Sequence, residues 1–579
     1  MADLVIRNAT IVDGTGSPSR RGDVAITGEH ITEVADRIES EARRDIDADG
    51  LVLTPGFVDI HTHYDGQVTW DPVVAPSSLH GVTSAVMGNC GVSFAPAKPT
   101  DADHDWLIGL LEGVEDIPGT ALAEGLPWDW ETFPDYLDAL DRRRWTIDIG
   151  AQVSHAPLRA YVMGTRGADP HEAPSADELT QMHRLVREGI EAGALGFTTS
   201  RTVLHRTRDG ASLGTRFSTA DELIALTSAL TEANAGVIQM ISDAYQDADE
   251  DFVGEELALM RSIVEATGRP ISMTVQQPEP QPERWRRMID WVAACAADGL
   301  PVRAQVAPRP IGVLSGLDAS INPFMTCPSY QELHRLPLPE RVAGLQDDER
   351  RSRILIEHEV VPAGMVGELT HGFHKLFPLT DPVNYEPPAS RSILGLATAA
   401  GRPPAEVVYD LLLENDGHQL LYMPLHNFAS GDLSAVREML LSPHAIIGLS
   451  DAGAHCGTVC DASFPTTAVA MWARDRAEGL PIELIVHHLT QRTASHVGWR
   501  DRGVIAPGYL ADINLIALDE LNAHPPTVIR DLPAGGKRLM QTASGYRAPI
   551  KRGVVTFAEG QATGDRPGRL VRGPQTVAQ

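Results

Sequence analysis

Lysine is scarce in this 579-residue chain, which contains only Lys98, Lys375, Lys537 and Lys551. The chain has no run of about 18 apolar residues, the length that a membrane helix needs, so we expect no membrane partner. Its first residues, MADLVIRNATIVDG, show neither the basic region nor the apolar region of a secretory signal. We therefore expect a cytoplasmic protein.

Positive charge is also in short supply. The chain has 48 basic and 78 acidic residues, and its formal net charge is -30. Nucleic acids and anionic membranes are bound by basic surfaces, so neither is expected as a partner. The five cysteines are odd in number and widely spaced, which favours free thiols or metal ligands over a disulfide framework. A small-molecule substrate remains as the expected partner, and a homo-oligomer is left open.

The length and the patterning predict more than one domain, because one hydrophobic core rarely supports a chain of this size. Short alternating apolar stretches near both ends predict strands, and neither group could bury a sheet face alone. We predict one small β-sandwich domain built from residues 1–54 and 500–565. The main domain is expected over 55–499, and a flexible tail rich in glycine and proline over 566–579.

Short β-branched runs alternate with helical patterns along the main domain, which is typical of βα units. The predicted fold class is therefore α/β, a (β/α)8 TIM-type barrel, with strands at Phe57–His61, Val82–Gly88, Ile147–Ser154, Leu195–Ser200, Gly236–Ser242, Pro270–Gln276, Val302–Ala307 and Ala445–Ser450. The gap before the last strand is too long for a loop. We interpret about 310–440 as an inserted subdomain that is helical in Arg391–Glu414. This subdomain could act as a lid over the active site.

Two histidines close the first predicted strand, in the segment Pro55–His63. Side chains alternate along a strand, so His61 and His63 point the same way and can share one metal ion. An isolated His-x-His pair would be read as two solvent-facing side chains. The position at a barrel strand end, where active sites lie, favours metal ligation.

Two further strand ends carry groups with metal chemistry. Cys90 follows the second strand in Gly88–Pro96, where a thiolate beside two imidazoles would suit zinc, although a small buried cysteine is the plainer interpretation. Asp451 follows the eighth strand, where a carboxylate can accept a proton from water and return it to a leaving nitrogen. Asp451 could instead cap the next helix, and its strand-end position favours the catalytic role.

These segments together resemble the amidohydrolase superfamily, specifically its N-acyl-D-amino-acid deacylase (D-aminoacylase) branch. The resemblance runs from Val5–Gly14 through the histidine pair and the Asn-Cys-Gly-Val segment to Arg502–Asp512. It implies that His61, His63, Cys90 and Asp451 bind metal and that Asp451 is the catalytic acid/base. In that branch the cysteine takes the place of a carboxylated lysine, and no lysine lies between Lys98 and Lys375.

The resemblance also implies a histidine ligand at the end of strands five and six. The corresponding segments, Val237–Asp243 and Ile271–Gln276, place Met240 and Met273 at those positions. A thioether is a poor ligand for Zn²⁺. We therefore expect one zinc ion and no second one of the family type, with His155 at the third strand end as either a further ligand or a supporting residue.

The family's substrate-recognition cations do not transfer. The arginine expected after the catalytic aspartate is absent, and Met273-Thr274-Val275 replaces a His-His-Lys segment. Arg201 and Arg309, just after strands four and seven, could supply charge to a substrate, although each also fits a solvated arginine. His455, in the loop after Asp451, could contact substrate or metal.

Three functions remain open at this point. The first is hydrolysis of a non-peptide amide C–N bond by zinc-activated water and Asp451, as in N-acyl-D-amino-acid deacylases. The second is a cyclic-amide hydrolase of the hydantoin or lactam type, or a deaminase-like enzyme, since the carboxylate-binding cations are missing. The third is a degenerate barrel that binds a ligand without catalysis, because a fold does not fix its function.

Overall fold

The computed structural model describes residues 1–558 and 560–578. Eight parallel strands form the predicted barrel: β1 (Phe57–Asp59), β2 (Val82–Met87), β3 (Asp148–Ala151, continued by Val153–Ser154), β4 (Gly196–Arg201), β5 (Val237–Ser242), β6 (Ile271–Thr274), β7 (Val302–Val306) and β8 (Ala445–Ile447). Neighbours in sequence are neighbours in space. The bridge between Thr62 and Ala452 joins the two ends of the sheet beside β1 and β8. The predicted fold class is confirmed.

Helices surround the barrel and are specified by local signals. The helix Ala176–Ala192 starts with a capping box between Ser175 and Glu178 and ends at Gly193, whose φ is 114°. The other helices outside the insertion are Asp101–Glu115, Gly119–Gly125, Phe133–Asp141, His155–Met163, Ala220–Glu232, Glu250–Thr267, Arg284–Ala297, Ser434–Leu441, Phe464–Ala470, Ile482–Leu489 and Gln491–His496. Among the described residues, no helix combines the length and apolarity needed to cross a membrane.

Both ends of the chain build one small β domain. Its sheet combines the N-terminal strands Ala2–Ile11, Arg20–Thr27, His30–Ala35, Ala42–Asp47 and Val52–Pro55 with the C-terminal strands Ile513–Ile516, Ile550–Lys551 and Val554–Val555. Val52–Pro55 pairs antiparallel with Ile513–Ile516, which places the two ends side by side. Leu4, Ile6 and Leu53 share a buried core with Ile513 and Ile550. Neither end could bury this face alone.

The insertion before β8 folds around a core of its own. Its sheet consists of Ile311–Ser315, Phe377–Pro378 and Leu421–His426, and its helices are Pro328–Gln331, Leu338–Leu345, Asp348–Glu357, Gly364–His371, Ile393–Ala400 and Pro404–Leu413. The last two helices occupy the stretch for which a helical pattern was predicted. Side chains such as Phe324, Tyr409 and Leu421 fill the core. That the insertion acts as a lid stays a prediction.

The C-terminal tail differs from the sequence prediction. Leu570 and Val571 are buried, and Gly568, Leu570 and Gln575 bridge to the barrel at Trp145, Ile149 and Trp499. The prediction of a flexible tail is wrong for residues 566–578, because spaced apolar side chains anchor a segment whose composition suggests a loop. Gln579 lies outside the described residues. Within the predicted small domain, Leu521 and Leu532 instead pack on the barrel core.

Candidate metal centre

Three predicted ligands meet at the C-terminal mouth of the barrel. His61 and His63 follow β1 and Cys90 follows β2, and all three side chains are buried. His61 Nε2 lies 3.2 Å from Cys90 Sγ. One donor atom from each of the three residues lies within 4.8 Å of the others, so a single ion could contact them all. The alternation predicted for the histidine pair holds.

The loop that presents Cys90 depends on two glycines. Cys90 adopts a left-handed φ of 54°, a conformation that costs energy for a non-glycine residue. A Cβ on Gly88 would lie 2.4 Å from Gln152 O, and one on Gly91 would lie 2.9 Å from Thr199 Cα. Cys90 N donates a hydrogen bond of 2.8 Å to Gln239 Oε1. The glycines therefore let the chain turn tightly enough to aim the thiol at the histidines.

Asp451 approaches the same point from β8. Its Oδ1 lies 3.2 Å from His61 Nε2 and 3.6 Å from His63 Nε2. Asp451 also has a left-handed backbone, with φ 46°, and His63 N donates to Ala452 O at 2.7 Å. The preceding Ser450 donates its hydroxyl to Asp59 Oδ2 at 2.6 Å, which ties the loop to β1. The structure thus brings together all four predicted ligands.

Burial dominates the electrostatics of the cluster. Burial raises the pKa of the Cys90 thiol well above its usual range, and Glu115 and Asp451 raise it further. Burial also lowers the pKa of His63 to about 4. For Asp451, burial alone would raise the pKa, but His61 and a hydrogen bond from His63 lower it below the ordinary range. A positive ion would favour the deprotonated thiol and carboxylate that such a site needs.

The surroundings of the histidines fit a metal ion. His61 Nδ1 donates to Gln305 Oε1 at 2.7 Å, and Gln305 Nε2 donates to Ser272 Oγ at 2.8 Å. This hydrogen bond from Nδ1 directs Nε2 of His61 towards Cys90 and Asp451, the arrangement found for metal-binding histidines. His63 Nδ1 and Glu115 Oε1 lie 3.2 Å apart without hydrogen-bond alignment and are otherwise unpartnered. One sulfur, two nitrogens and one carboxylate suit Zn²⁺.

Met240 and Met273 do not face this centre. The neighbouring residues on β4, β5 and β6 that pair with one another are Thr198, Gln239 and Ser272. Their side chains point into the barrel, where Thr198 accepts a hydrogen bond from Gly91 N, Gln239 accepts one from Cys90 N, and Ser272 accepts one from Gln305. Each methionine is the next residue in its strand, so it points outward, towards the helices. The methionines therefore do not occupy ligand positions. The interpretation that Met240 and Met273 stand where the family has histidines was wrong by one residue. The inward positions hold Gln239, Ile241, Ser272 and Thr274, none of them a histidine.

Three of the predicted site residues, His155, Arg201 and Arg309, have internal partners. His155 bonds to Thr199 and Glu222 and is fully buried. Arg201 forms a bidentate pair with Glu256.

Arg309 pairs with Asp461 at 2.8 Å and stacks on Tyr385, with its guanidinium carbon 3.7 Å from the ring centre. The structure does not bring His155, Arg201 or Arg309 to the metal centre with a free polar group. Buried polar side chains are normally paired within the protein, because burial without a partner costs free energy. The sequence showed only that these residues follow barrel strands and gave no sign of their partners.

Three more residues lie around the metal centre: His455, which was predicted, and Glu115 and His205, which the sequence analysis did not identify. His455 is about one-third exposed, and its Nε2 lies 3.9 Å from Glu115 Oε2. Glu115 is buried beside His63, and burial, then Asp451 and Asp65, raise its pKa well above the usual range. The sequence signal that could have identified Glu115 is its position at the C-terminal end of a helix, where the helix dipole makes a negative charge unfavourable. His205, after β4, bonds to Ser200 Oγ at 2.8 Å, and burial lowers its pKa to about 3, helped by His63 and His455.

Comparison with known proteins shows the family and the fold. The amidohydrolase family model matches residues 44–367 and 389–557, which is most of the chain. The chain belongs to the amidohydrolase family.

Among characterised amidohydrolases, an N-acyl-D-glutamate deacylase of Alcaligenes xylosoxydans xylosoxydans is 39% identical over 201 residues. That match covers 34% of this chain and 37% of the relative, so the chain matches little more than a third of the relative's length.

Two solved amidohydrolase structures share the fold over nearly the whole chain. A crystal structure of D-aminoacylase has a TM-score of 0.64 at 22% identity and covers 99% of this chain and 100% of its own. N-acyl-D-glutamate deacylase from Bordetella bronchiseptica, solved with zinc and a phosphonate inhibitor, has the same TM-score and identity and covers 99% of both chains. At 22% identity, these two likenesses show a shared fold.

Proposed function

We propose that this amidohydrolase hydrolyses a non-peptide amide C–N bond, as N-acyl-D-amino-acid deacylases do, with one zinc ion. The observation that supports the proposal most directly is the convergence of four side chains at the barrel mouth. The donor atoms of His61, His63 and Cys90 lie within 4.8 Å of one another, and Asp451 Oδ1 lies 3.2 Å and 3.6 Å from the two histidines. Active sites of this fold lie at that end of the strands. The 39% identity to a deacylase over part of the chain points to the same bond type.

The four side chains have separable roles. His61, His63, Cys90 and Asp451 would hold the ion, and Gln305 would orient His61 through Nδ1. When bound, zinc supplies a Lewis acid that acidifies water and polarises a carbonyl. Asp451 is ionised at neutral pH, so it can accept a proton from the attacking water and deliver it to the leaving amine. A second family-type ion is not proposed, since β5 and β6 direct no histidine inward.

A defined substrate panel tests the proposal. Zinc-loaded enzyme would be assayed for amine release from N-acetyl derivatives of D-glutamate, D-aspartate and neutral D-amino acids, with the L-enantiomers as matched controls. We expect hydrolysis that disappears after chelation and returns with zinc. Metal binding without turnover of any amide would favour the degenerate barrel instead.

One observation favours a second candidate, hydrolysis of a neutral or cyclic amide. Arg201 and Arg309 both pair with internal carboxylates, so neither is free to hold the carboxylate of an N-acyl amino acid. A buried carboxylate without a counter-charge is costly. Glu115 beside His63 adds another acidic group to the site. Faster hydrolysis of N-acetyl-D-leucinamide, hydantoins or lactams than of N-acetyl-D-leucine would select this candidate.

A further inference from the structure

A cavity of about 440 Å³ lies at the opposite end of the barrel from the metal centre. Its walls include Pro270 and Pro301, which immediately precede β6 and β7, and Pro443, two residues before β8. The polar lining consists of Arg303, His487, Gln491, Arg492, Ser495 and His496, and in the described part of the chain it contains no carboxylate. The volume is in the range of small-molecule sites. This cavity takes no part in the proposed hydrolysis.

The two arginines of the cavity have only neutral partners. Arg303 Nη1 lies 3.1 Å from His444 Nδ1 and 3.4 Å from Pro443 O. Arg492 Nη1 donates to Ala445 O at 3.2 Å and contacts His488 Nε2 at the same distance. Within residues 1–558 and 560–578, neither guanidinium forms an ion pair. Both arginines are half-buried, and they differ in this from Arg201, Arg309 and Arg502, each of which pairs with a carboxylate.

The positive charge in this cavity is uncompensated. Burial lowers the pKa of Arg303 and of Arg492, and the charge of Arg303 lowers that of Arg492 further. Arginine nevertheless stays protonated at neutral pH. The same lining includes His496, whose Nε2 is buried and has no hydrogen-bond partner among the described residues. Two like charges around one space favour an anion over water.

We propose that this cavity binds the phosphate group of a small molecule through Arg303 and Arg492. A phosphate dianion offers charge for both guanidinium groups, whose planar N–H pairs match its oxygens. Gln491, Ser495 and His496 supply further donors around it. His487 Nδ1 donates to Gly14 O at 2.8 Å, so the small β domain contacts one wall of the cavity. A bound anion would therefore stabilise the junction between the two domains.

Calorimetric titration of the zinc-loaded protein with inorganic phosphate and with ribose 5-phosphate tests the site. Sodium chloride at matched ionic strength controls for screening of the large net charge. We expect saturable binding of at least one phosphate compound, with a rise in melting temperature that grows with its concentration. Preference for ribose 5-phosphate would identify an organic phosphate ester, and equal binding would identify free phosphate as sufficient.

Three variants separate this cavity from other anion sites, including zinc. Arg303→Gln and Arg492→Gln should each weaken phosphate binding by about tenfold or more, because each removes charge-assisted hydrogen bonds. Arg500→Gln, an exposed arginine close in sequence to Arg492, makes the same charge change as a control and should leave binding unchanged.

Thermal unfolding without phosphate verifies that each variant is folded. Equal affinity in all the folded proteins would overturn the proposal, as would a chloride effect that matches that of phosphate.

Discussion

Asp451 Oδ1 lies 3.2 Å from His61 Nε2, which joins the loop after the last barrel strand to the loop after the first. The same oxygen is 3.6 Å from His63 Nε2. Asp451 holds this position with a left-handed backbone, and the neighbouring Ser450 is bonded to Asp59 on β1. Strain of this kind persists only where surrounding contacts enforce it. The proposed chemistry depends on this contact.

Replacement of Asp451 tests its role in proton transfer. Asp451→Asn should lower kcat by about 10²–10⁴-fold, because the amide cannot accept the proton. Turnover and zinc content would be measured on the same samples, so that loss of metal is distinguished from loss of the base. Asp105→Asn, an exposed carboxylate on the helix Asp101–Glu115, is the control. Near-normal turnover in the Asp451 variant would remove it from the mechanism.

Replacement of Cys90 tests the thiolate ligand. Cys90→Ser should raise the Kd for zinc by about tenfold or more, because a neutral hydroxyl is a much weaker zinc ligand than a thiolate. Competition with a chromophoric chelator gives the Kd. Cys295→Ser, also buried but in the helix Arg284–Ala297, should bind zinc like the unmodified protein. Unchanged affinity in the Cys90 variant would exclude it from the ligand set.

Replacement of Gln305 tests whether it orients His61. Gln305→Leu removes the acceptor for His61 Nδ1–H and should weaken zinc binding by about 10–100-fold. Gln305→Glu keeps an acceptor oxygen in the same place and should retain most of the affinity. The same chelator competition applies, with thermal unfolding as the folding check. If both variants bind zinc equally well, the hydrogen bond does not position the ligand.

A buried ion network at the base of the barrel predicts a pH-dependent stability. Asp148 contacts Lys551 at 2.8 Å and both Arg502 and Arg552 at 2.7 Å. Burial alone would raise the pKa of Asp148, but these three cations lower it well below the usual range. Asp148→Asn should lower the free energy of unfolding at pH 7 by about 3–5 kcal/mol, because it leaves buried charges unpaired.

The sign of the pH effect follows from that lowered pKa. The stabilisation from Asp148 is fully present above the unfolded-state pKa of about 4. It is lost as the pH falls towards the folded-state pKa. Denaturant unfolding at pH 7 and below pH 4 should therefore show a gap between native protein and variant that narrows in acid. Asp141→Asn, at an exposed site, should show no such gap.

The barrel and the four proposed ligands were predictable because their signals are local. His61, His63, Cys90 and Asp451 each follow a short apolar strand, and parallel strands of a barrel end at one mouth. The direction of Met240 and Met273 was not predictable to the residue. A shift of one position along a strand reverses which face a side chain takes, and only the pairing of Gln239 with Ser272 fixes it.

Sequence by itself determined the alternation of strands and helices, the pairing of the two chain ends and the nature of the ligands. These features follow from hydrophobic periodicity and from side-chain chemistry, both of which can be read from short stretches of sequence. Tertiary structure alone decided that Arg201 and Arg309 pair with Glu256 and Asp461. It also decided that Arg303 and Arg492 have no acidic partner among the residues that the structure describes. The reason is that a charge is compensated by whatever lies within a few ångströms of it in space, and distance along the chain does not report that.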